Sequence, residues 1–325
     1  MPPSVTRPDY ELAYILKNVP KLGQVIDQIR QARGTGDLSN WPDNVLLPAQ
    51  VWVNVYFSLF YGRLPDRPTV LPDALEADIS SLMAVGTWMY SRDIYRFNPD
   101  AFKAIASTEI PDNVPLHIFR DLPSWSLYIE FPQSDVMPDN ISGYGCYVHL
   151  NYDNNHGAWE LILTLDDNAP LYIMPLELTD SMTLEQAIMS YSEADVAGLD
   201  DISRQLIADD MANLPKFVAA VKPVLSLLLY ICSGNAEING AQHHRMPFAG
   251  IKSTSKLIAP PETSCMLVGK QLGDDIREQH LNGCGDLRWA YWDVGLHNAG
   301  SEQTEVSCKW MPPTLADGYR GADNA

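Results

Sequence analysis

Adjacent carboxylates are the feature of this sequence nearest to catalytic chemistry: Asp166-Asp167, Asp200-Asp201, Asp209-Asp210 and Asp274-Asp275. Carboxylates in a nuclease can hold two divalent ions that clamp the attacking and leaving oxygens of a phosphodiester. Neighbouring residues on a helix point about 100° apart, so such pairs more often cap helices or face solvent. A metal-dependent ribonuclease using Asp274 and Asp275 therefore stands only as an alternative. His280 and Cys284 lie four apart and His243-His244 are adjacent, but no four-ligand spacing is completed. His149, between Tyr147 and Asn151 on a strand-like run, reads as a surface or hydrogen-bonded histidine. No G-x-S-x-G elbow is present, and Ser264-Cys265 carries no hydrolase signature. Gly269, Gly273, Gly283 and Gly285 do not make a phosphate loop. No catalytic residue, metal or cofactor is implied.

Interaction chemistry is better represented. Tryptophan and tyrosine give large, stiff contact area and dominate binding hot spots. Here they share segments with acids: Trp125, Tyr128 and Glu130; Trp159 and Glu160; Tyr291, Trp292 and Asp293. A groove of aromatics and carboxylates suits a peptide bearing aromatic and Lys/Arg side chains. The C-terminal tail concentrates this pattern in Arg288-Trp289-Ala290-Tyr291-Trp292-Asp293 and Cys308-Lys309-Trp310-Met311-Pro312-Pro313, separated by a hinge from Gly295 to Gln303. Both runs alternate like strands, with Trp289, Tyr291 and Asp293 on one face and Arg288, Ala290 and Trp292 on the other.

Charge narrows the partners. Forty-one Asp and Glu against 22 Lys and Arg leave the 325-residue chain at −19. Such a surface repels phosphate backbones, so direct high-affinity nucleic-acid binding is not expected, and a basic polypeptide is the better match. No leader-like run opens the chain, and the longest apolar stretch, Phe217 to Cys232, contains Lys222 and Pro223. It reads as a buried helix rather than a membrane span. Five scattered cysteines without a CxxC fit reduced thiols, and a cytoplasmic location is expected.

The elements that must position these residues follow from periodicity. Ala49, Trp52, Val53, Tyr56, Phe57 and Phe60 fall on one helical face, as do Leu75, Ile79, Leu82 and Met83. Asn98-Pro99 reads as a helix start. From Trp125 the period becomes two, with strands at 125–131, 144–151, 158–165 and 171–174. Tyr152 to Gly157 has the composition of a hairpin connection. Thr183 and Gln186 make a capping box, and a further helix is expected around Cys265 to Glu278. The fold class is α+β: a mainly helical region over 1–110, then a peptide-recognition region over 111–325 in which an antiparallel sheet packs with helices, with one continuous domain as the alternative division.

These blocks, in this order, resemble the type V-A anti-CRISPR proteins of the second described kind and their homologues on mobile elements. The resemblance runs through Pro115 to Glu130, Val224 to Cys232 with Glu237-Ile238, Val268 to Arg277, and the tail from Trp289 to Pro313. It implies a non-enzymatic factor that recognises the nascent N-terminal polypeptide of the type V-A effector nuclease during translation and causes loss of its mRNA. The partners so implied are that polypeptide and, as a further candidate, the translating ribosome. Trp125, Tyr128, Glu130, Glu237, Trp289, Tyr291 and Trp292 are the expected peptide-binding residues. One departure is that a His/Arg-rich run often opens the family's tail, whereas here Cys284-Gly285-Asp286-Leu287-Arg288 has little positive charge. A plasmid-maintenance protein with another target is the remaining alternative.

Overall fold

Gly145 to Asp166 lays down the centre of the molecule as two long strands, β3 (Gly145–Asp153) and β4 (Ala158–Asp166). The turn between them is closed by Asp153, whose Oδ1 accepts from the Asn155 N–H at 2.8 Å, and by Gly157 at φ 68°. The computed structural model describes residues 5–35, 40–62, 73–132, 143–167, 172–179, 181–190, 219, 221–240, 262–282, 287–288, 290–298 and 304–315. Around β3 and β4 lie β1 (Asp93–Phe97), β2 (Ser126–Glu130), β5 (Tyr172–Glu177), β6 (Ile238–Asn239) and β7 (Ser264–Val268), in the sheet order β5-β4-β3-β2-β1-β7-β6.

The expected meander is present, since β2, β3, β4 and β5 pair antiparallel in sequence order. The sheet as a whole is mixed, because β1 pairs parallel with both β2 and β7. Within the region 1–110, Asp93-Ile94-Tyr95-Arg96-Phe97 adds a strand to the sheet. One expectation changes here. The helix expected from Cys265 begins only at Lys270 as α8 (Lys270–Asn282), and Ser264–Val268 is β7. The reason is local: Cys265 and Leu267 are exposed while Met266 and Val268 are buried, a period of two, and Gly269 at φ 64° then turns the chain.

Helices cover both faces. On one lie α1 (Arg7–Asn18), α3 (Ala49–Tyr61) and α4 (Asp73–Trp88), with α2 (Leu22–Ala32) joined to them when the Tyr90 hydroxyl donates to Asp27 at 3.0 Å. Trp88 of α4 meets the Tyr147 ring edge-on at 6.4 Å. On the other lie α5 (Pro99–Ala106) and the apolar helix over 221–232, α7, whose Val224, Leu225, Leu227, Leu228 and Leu229 are buried. Phe97 of β1 joins these layers through Phe102 and Tyr230. Asn98 caps α5 by accepting from Asp100 N–H at 2.9 Å, and α6 (Leu184–Ser190) carries the capping box between Thr183 and Gln186.

The tail forms its own hairpin of β9 (Tyr291–Asn298) and β10 (Thr304–Met311), with Trp292 opposite Trp310. A small pair, β8 (Leu287–Arg288) and β11 (Thr314–Leu315), closes its base. The Asn235 side chain bonds both the N–H and the carbonyl of Trp310, at 3.1 and 2.8 Å, as a neighbouring strand would. Among the described residues no helix is long and apolar enough to cross a membrane.

Candidate functional site

A cleft of about 600 Å³ lies where α1, α3 and α4 meet the ends of β3 and β4. Its walls come from the helical period: Arg7, Glu11, Tyr14 and Ile15 recur on α1, Tyr56 and Phe60 on α3, and Asp78, Leu82 and Val85 on α4. Tyr147, Asp166 and Asp167 form the floor. Tyr14 and Phe60 at the rim are 60% and 49% exposed, and Tyr10, one turn before Tyr14, is similarly open. Tyr56 stacks on Phe60 at 4.5 Å and its hydroxyl donates to Asp78 at 3.2 Å. Burial, with the negative charge of Asp78, pushes the Tyr56 phenol up to about 12, so it stays a donor at neutral pH.

Four carboxylates, Glu11, Asp78, Asp166 and Asp167, face this space against one guanidinium, Arg7. Asp166 is buried and held from two sides. The Tyr128 hydroxyl donates to its Oδ2 at 2.9 Å, and Arg7 donates through Nη2 at 3.2 Å. Glu11 accepts from the same Arg7 Nη2 at 2.8 Å. Burial raises the Glu11 carboxyl above its ordinary range, with Arg7 opposing that rise. The cleft is thus acidic, half-apolar and rimmed by exposed aromatics, a chemistry that fits a cationic peptide with apolar side chains.

The described residues among those singled out in the sequence are not brought together there. Trp125 is buried, donating from Nε1 to the Asp43 carbonyl at 2.8 Å beneath the guanidinium of Arg30. Tyr128 is likewise buried, and reaches the cleft only through its bond to Asp166. Gly145 makes room for it: a Cβ there would come within 2.3 Å of the Tyr128 ring. Glu130 is half-buried at the far end of β2 and pairs with Arg96 of β1, Nη2 to Oε1 at 3.0 Å. Glu237 is occupied as the cap of α8, accepting from the Gln271 and Leu272 N–H groups at 2.9 and 3.0 Å. Trp292 is buried against the hairpin's inner face while Tyr291 is exposed. Trp289 lies outside the described residues. Trp125, Tyr128 and Trp292 therefore offer no surface for contact in this conformation, whereas Glu130 and Tyr291 do.

Periodicity singled out no residue of α1, and it placed Phe60 on one helical face without showing that this face stays open. The signal was available in Tyr10, Glu11 and Tyr14, exposed aromatics and an acid at i and i+4 on one helix. His149 is a further correction: it is buried, and neither ring nitrogen has a partner among the described residues. Among those residues no group of three or more His, Cys, Asp or Glu is arranged to hold a metal ion. Asp274 and Asp275 lie side by side on α8, where Asp275 accepts from Gln271 Nε2 at 2.8 Å. The pairs at 200–201 and 209–210, and His243-His244, fall outside the described residues.

Comparison with known proteins adds three findings. Residues 95–285 match the AcrVA2-like family, described as the anti-CRISPR type V subtype A2 family. The crystal structure of AcrVA2 superposes with a TM-score of 0.62 over 94% of this chain and 96% of that one, at 17% identity. Protein FinQ of Escherichia coli is 34% identical over 74 residues, which span 22% of this chain and 21% of FinQ.

Proposed function

The chain belongs to the anti-CRISPR type V subtype A2 family, and from that premise we propose that it lowers production of the type V-A effector nuclease by recognising the effector's nascent N-terminal polypeptide. Loss of the effector mRNA follows recognition, and the protein itself is a binding factor in the cytoplasm rather than an enzyme. The observation that carries this reading is the acidic, aromatic-rimmed cleft between α1, α3, α4 and the sheet. A peptide with Lys or Arg side chains would place its cations against Glu11, Asp78, Asp166 and Asp167 and its apolar side chains against Tyr14 and Phe60. The formal charge of −19 supports the same choice, since it attracts a basic nascent segment and repels the transcript. Glu130 and Tyr291 are candidates for a second contact surface, and Trp125, Tyr128 and Trp292 act by holding strands in place. The translating ribosome is the further partner in this reading.

Binding of the purified protein to a synthetic N-terminal segment of a type V-A effector tests it. Micromolar affinity is expected, weakened about tenfold, ~1.4 kcal/mol, by Glu11→Gln or Asp78→Asn. Absence of binding by the wild-type protein would overturn the reading. Binding indifferent to both variants, but lost with Glu130→Ala or Tyr291→Ala, would move the site to the second surface.

A further inference from the structure

Among the described residues Arg7 is the only cation lining the cleft, and it sits on the most deeply buried of the carboxylates there. Its Nε lies 3.4 and 3.3 Å from the two oxygens of Asp166 and its Nη2 3.2 Å from Oδ1, longer than the 2.7–2.9 Å or so of a good charge-assisted bond. The same guanidinium bonds Glu11 at 2.8 Å and lies 4.7 Å from the centre of the Tyr144 ring. One wall of this box is not satisfied by Arg7. The hydroxyl of Tyr147, a fully buried residue that lines the cleft, has no hydrogen-bond partner among the described residues. Thr164, opposite Tyr147 on β4, has an unpartnered hydroxyl as well. A buried phenol without a partner costs free energy, so a ligand group that bonds it would be favoured.

We infer that Asp166, Glu11, Tyr144 and Tyr147 form an arginine-recognition subsite of the cleft, and that Arg7 occupies it in the free protein until an arginine of the bound peptide displaces it. The chemistry selects arginine over lysine. A guanidinium presents five N–H donors in a plane, enough to serve Asp166, Glu11 and the Tyr147 oxygen at once while its face lies on Tyr144. An ammonium is a compact point charge that cannot stack in this way. Displacement needs little rearrangement, because Arg7 is the first residue of α1, its side chain is 33% exposed, and the helix start is held independently. Thr6 caps it by accepting from Asp9 N–H at 3.4 Å, and Asp9 is tied to Thr263 at 2.7 Å. Rotation of one side chain therefore opens the subsite without unwinding the helix. The inference rests on the proposed cleft for its location, though not on the identity of the effector.

The test uses N-acetyl-arginine methylamide and its lysine counterpart as probes, titrated into full-length wild-type protein and Arg7→Met by calorimetry. Arg7→Met is expected to bind the arginine probe at least about tenfold more tightly than wild type, and more tightly than the lysine probe. Tyr147→Phe and Glu11→Gln in that background are expected to remove most of the gain. Equal binding by wild type and Arg7→Met, or no preference for arginine, would overturn the inference. Should Arg7→Met not fold, Arg7→Lys gives the same comparison, because it retains a cation while leaving the fork and the stack vacant. Binding of the effector segment separates the two proposals. If wild type binds it and Arg7→Met changes neither that affinity nor arginine binding, the subsite fails alone. If Arg7→Met captures arginine while neither protein binds the effector segment, the effector reading fails and the subsite stands.

Discussion

His149 stands in the middle of β3, opposite Ser126 and Ile162, with both ring nitrogens unbonded among the described residues. Burial pushes its pKa down from 6.5 to about 3, so the folded protein keeps it neutral. The unfolded chain takes up a proton near 6.5 that the folded chain refuses until about 3. Stability from this residue is therefore present above pH 6.5 and lost as pH falls toward 3, at about 1.4 kcal/mol per pH unit. His149→Phe is expected to flatten this part of the curve of Tm against pH below 6.5 and leave Tm unchanged or higher at pH 7.5. A wild-type-like slope in that variant would show that other groups carry the acid sensitivity. The same scale shows why strand patterning misreads polar residues: alternation put His149 on the face of Tyr147 and Asn151, but whether that face meets water or a helix is not a local property.

Among elements, α8 is secured from outside itself. Glu237, just before β6, supplies the acceptors for the first free N–H groups of the helix, and its backbone carbonyl accepts from Gly269 at 2.9 Å. The far side of α8 meets α5 so closely that a Cβ on Gly273 would fall 2.0 Å from Asn98 Oδ1. Glu237→Ala is expected to cost about 1–2 kcal/mol in urea unfolding, with Glu237→Gln recovering part of it. An unchanged midpoint in Glu237→Ala would mean that the cap contributes nothing and leave the residue free for a binding role. The tail follows the same logic. Trp310 is buried, donates from Nε1 to Thr108 at 3.1 Å and meets Tyr230 edge-on at 5.9 Å, so the aromatic run serves mainly to fasten the hairpin to α7.

At the scale of the whole molecule, charge and shape act together. A chain at −19 carries a long-range field that attracts cationic segments, and the cleft concentrates four carboxylates within it. Affinity for a basic effector peptide is expected to fall several-fold between about 50 and 500 mM salt, because screening shortens the reach of the field. Salt-independent binding would place the energy in the aromatic rim instead. A gel-shift titration with the effector transcript, at the same low salt, is expected to show no comparable affinity.

Period, composition and block order were enough to read the α+β class, the β2–β5 meander, the caps at Asn98 and Thr183 and the family, because each depends on residues close in sequence or on sums over the chain. Tertiary structure decided what those signals do not encode. It put β1 between β2 and β7, and the β7 pairing joins residues more than a hundred positions apart. It buried Trp125, Tyr128 and Trp292, whose side chains are equally suited to a core and to a contact surface. It joined Arg7 to Asp166, 159 positions later, at the floor of a cleft that no single segment contains. A strand's alternation says that its two faces differ, and only the packing of helices over the sheet determines which parts of each face remain open.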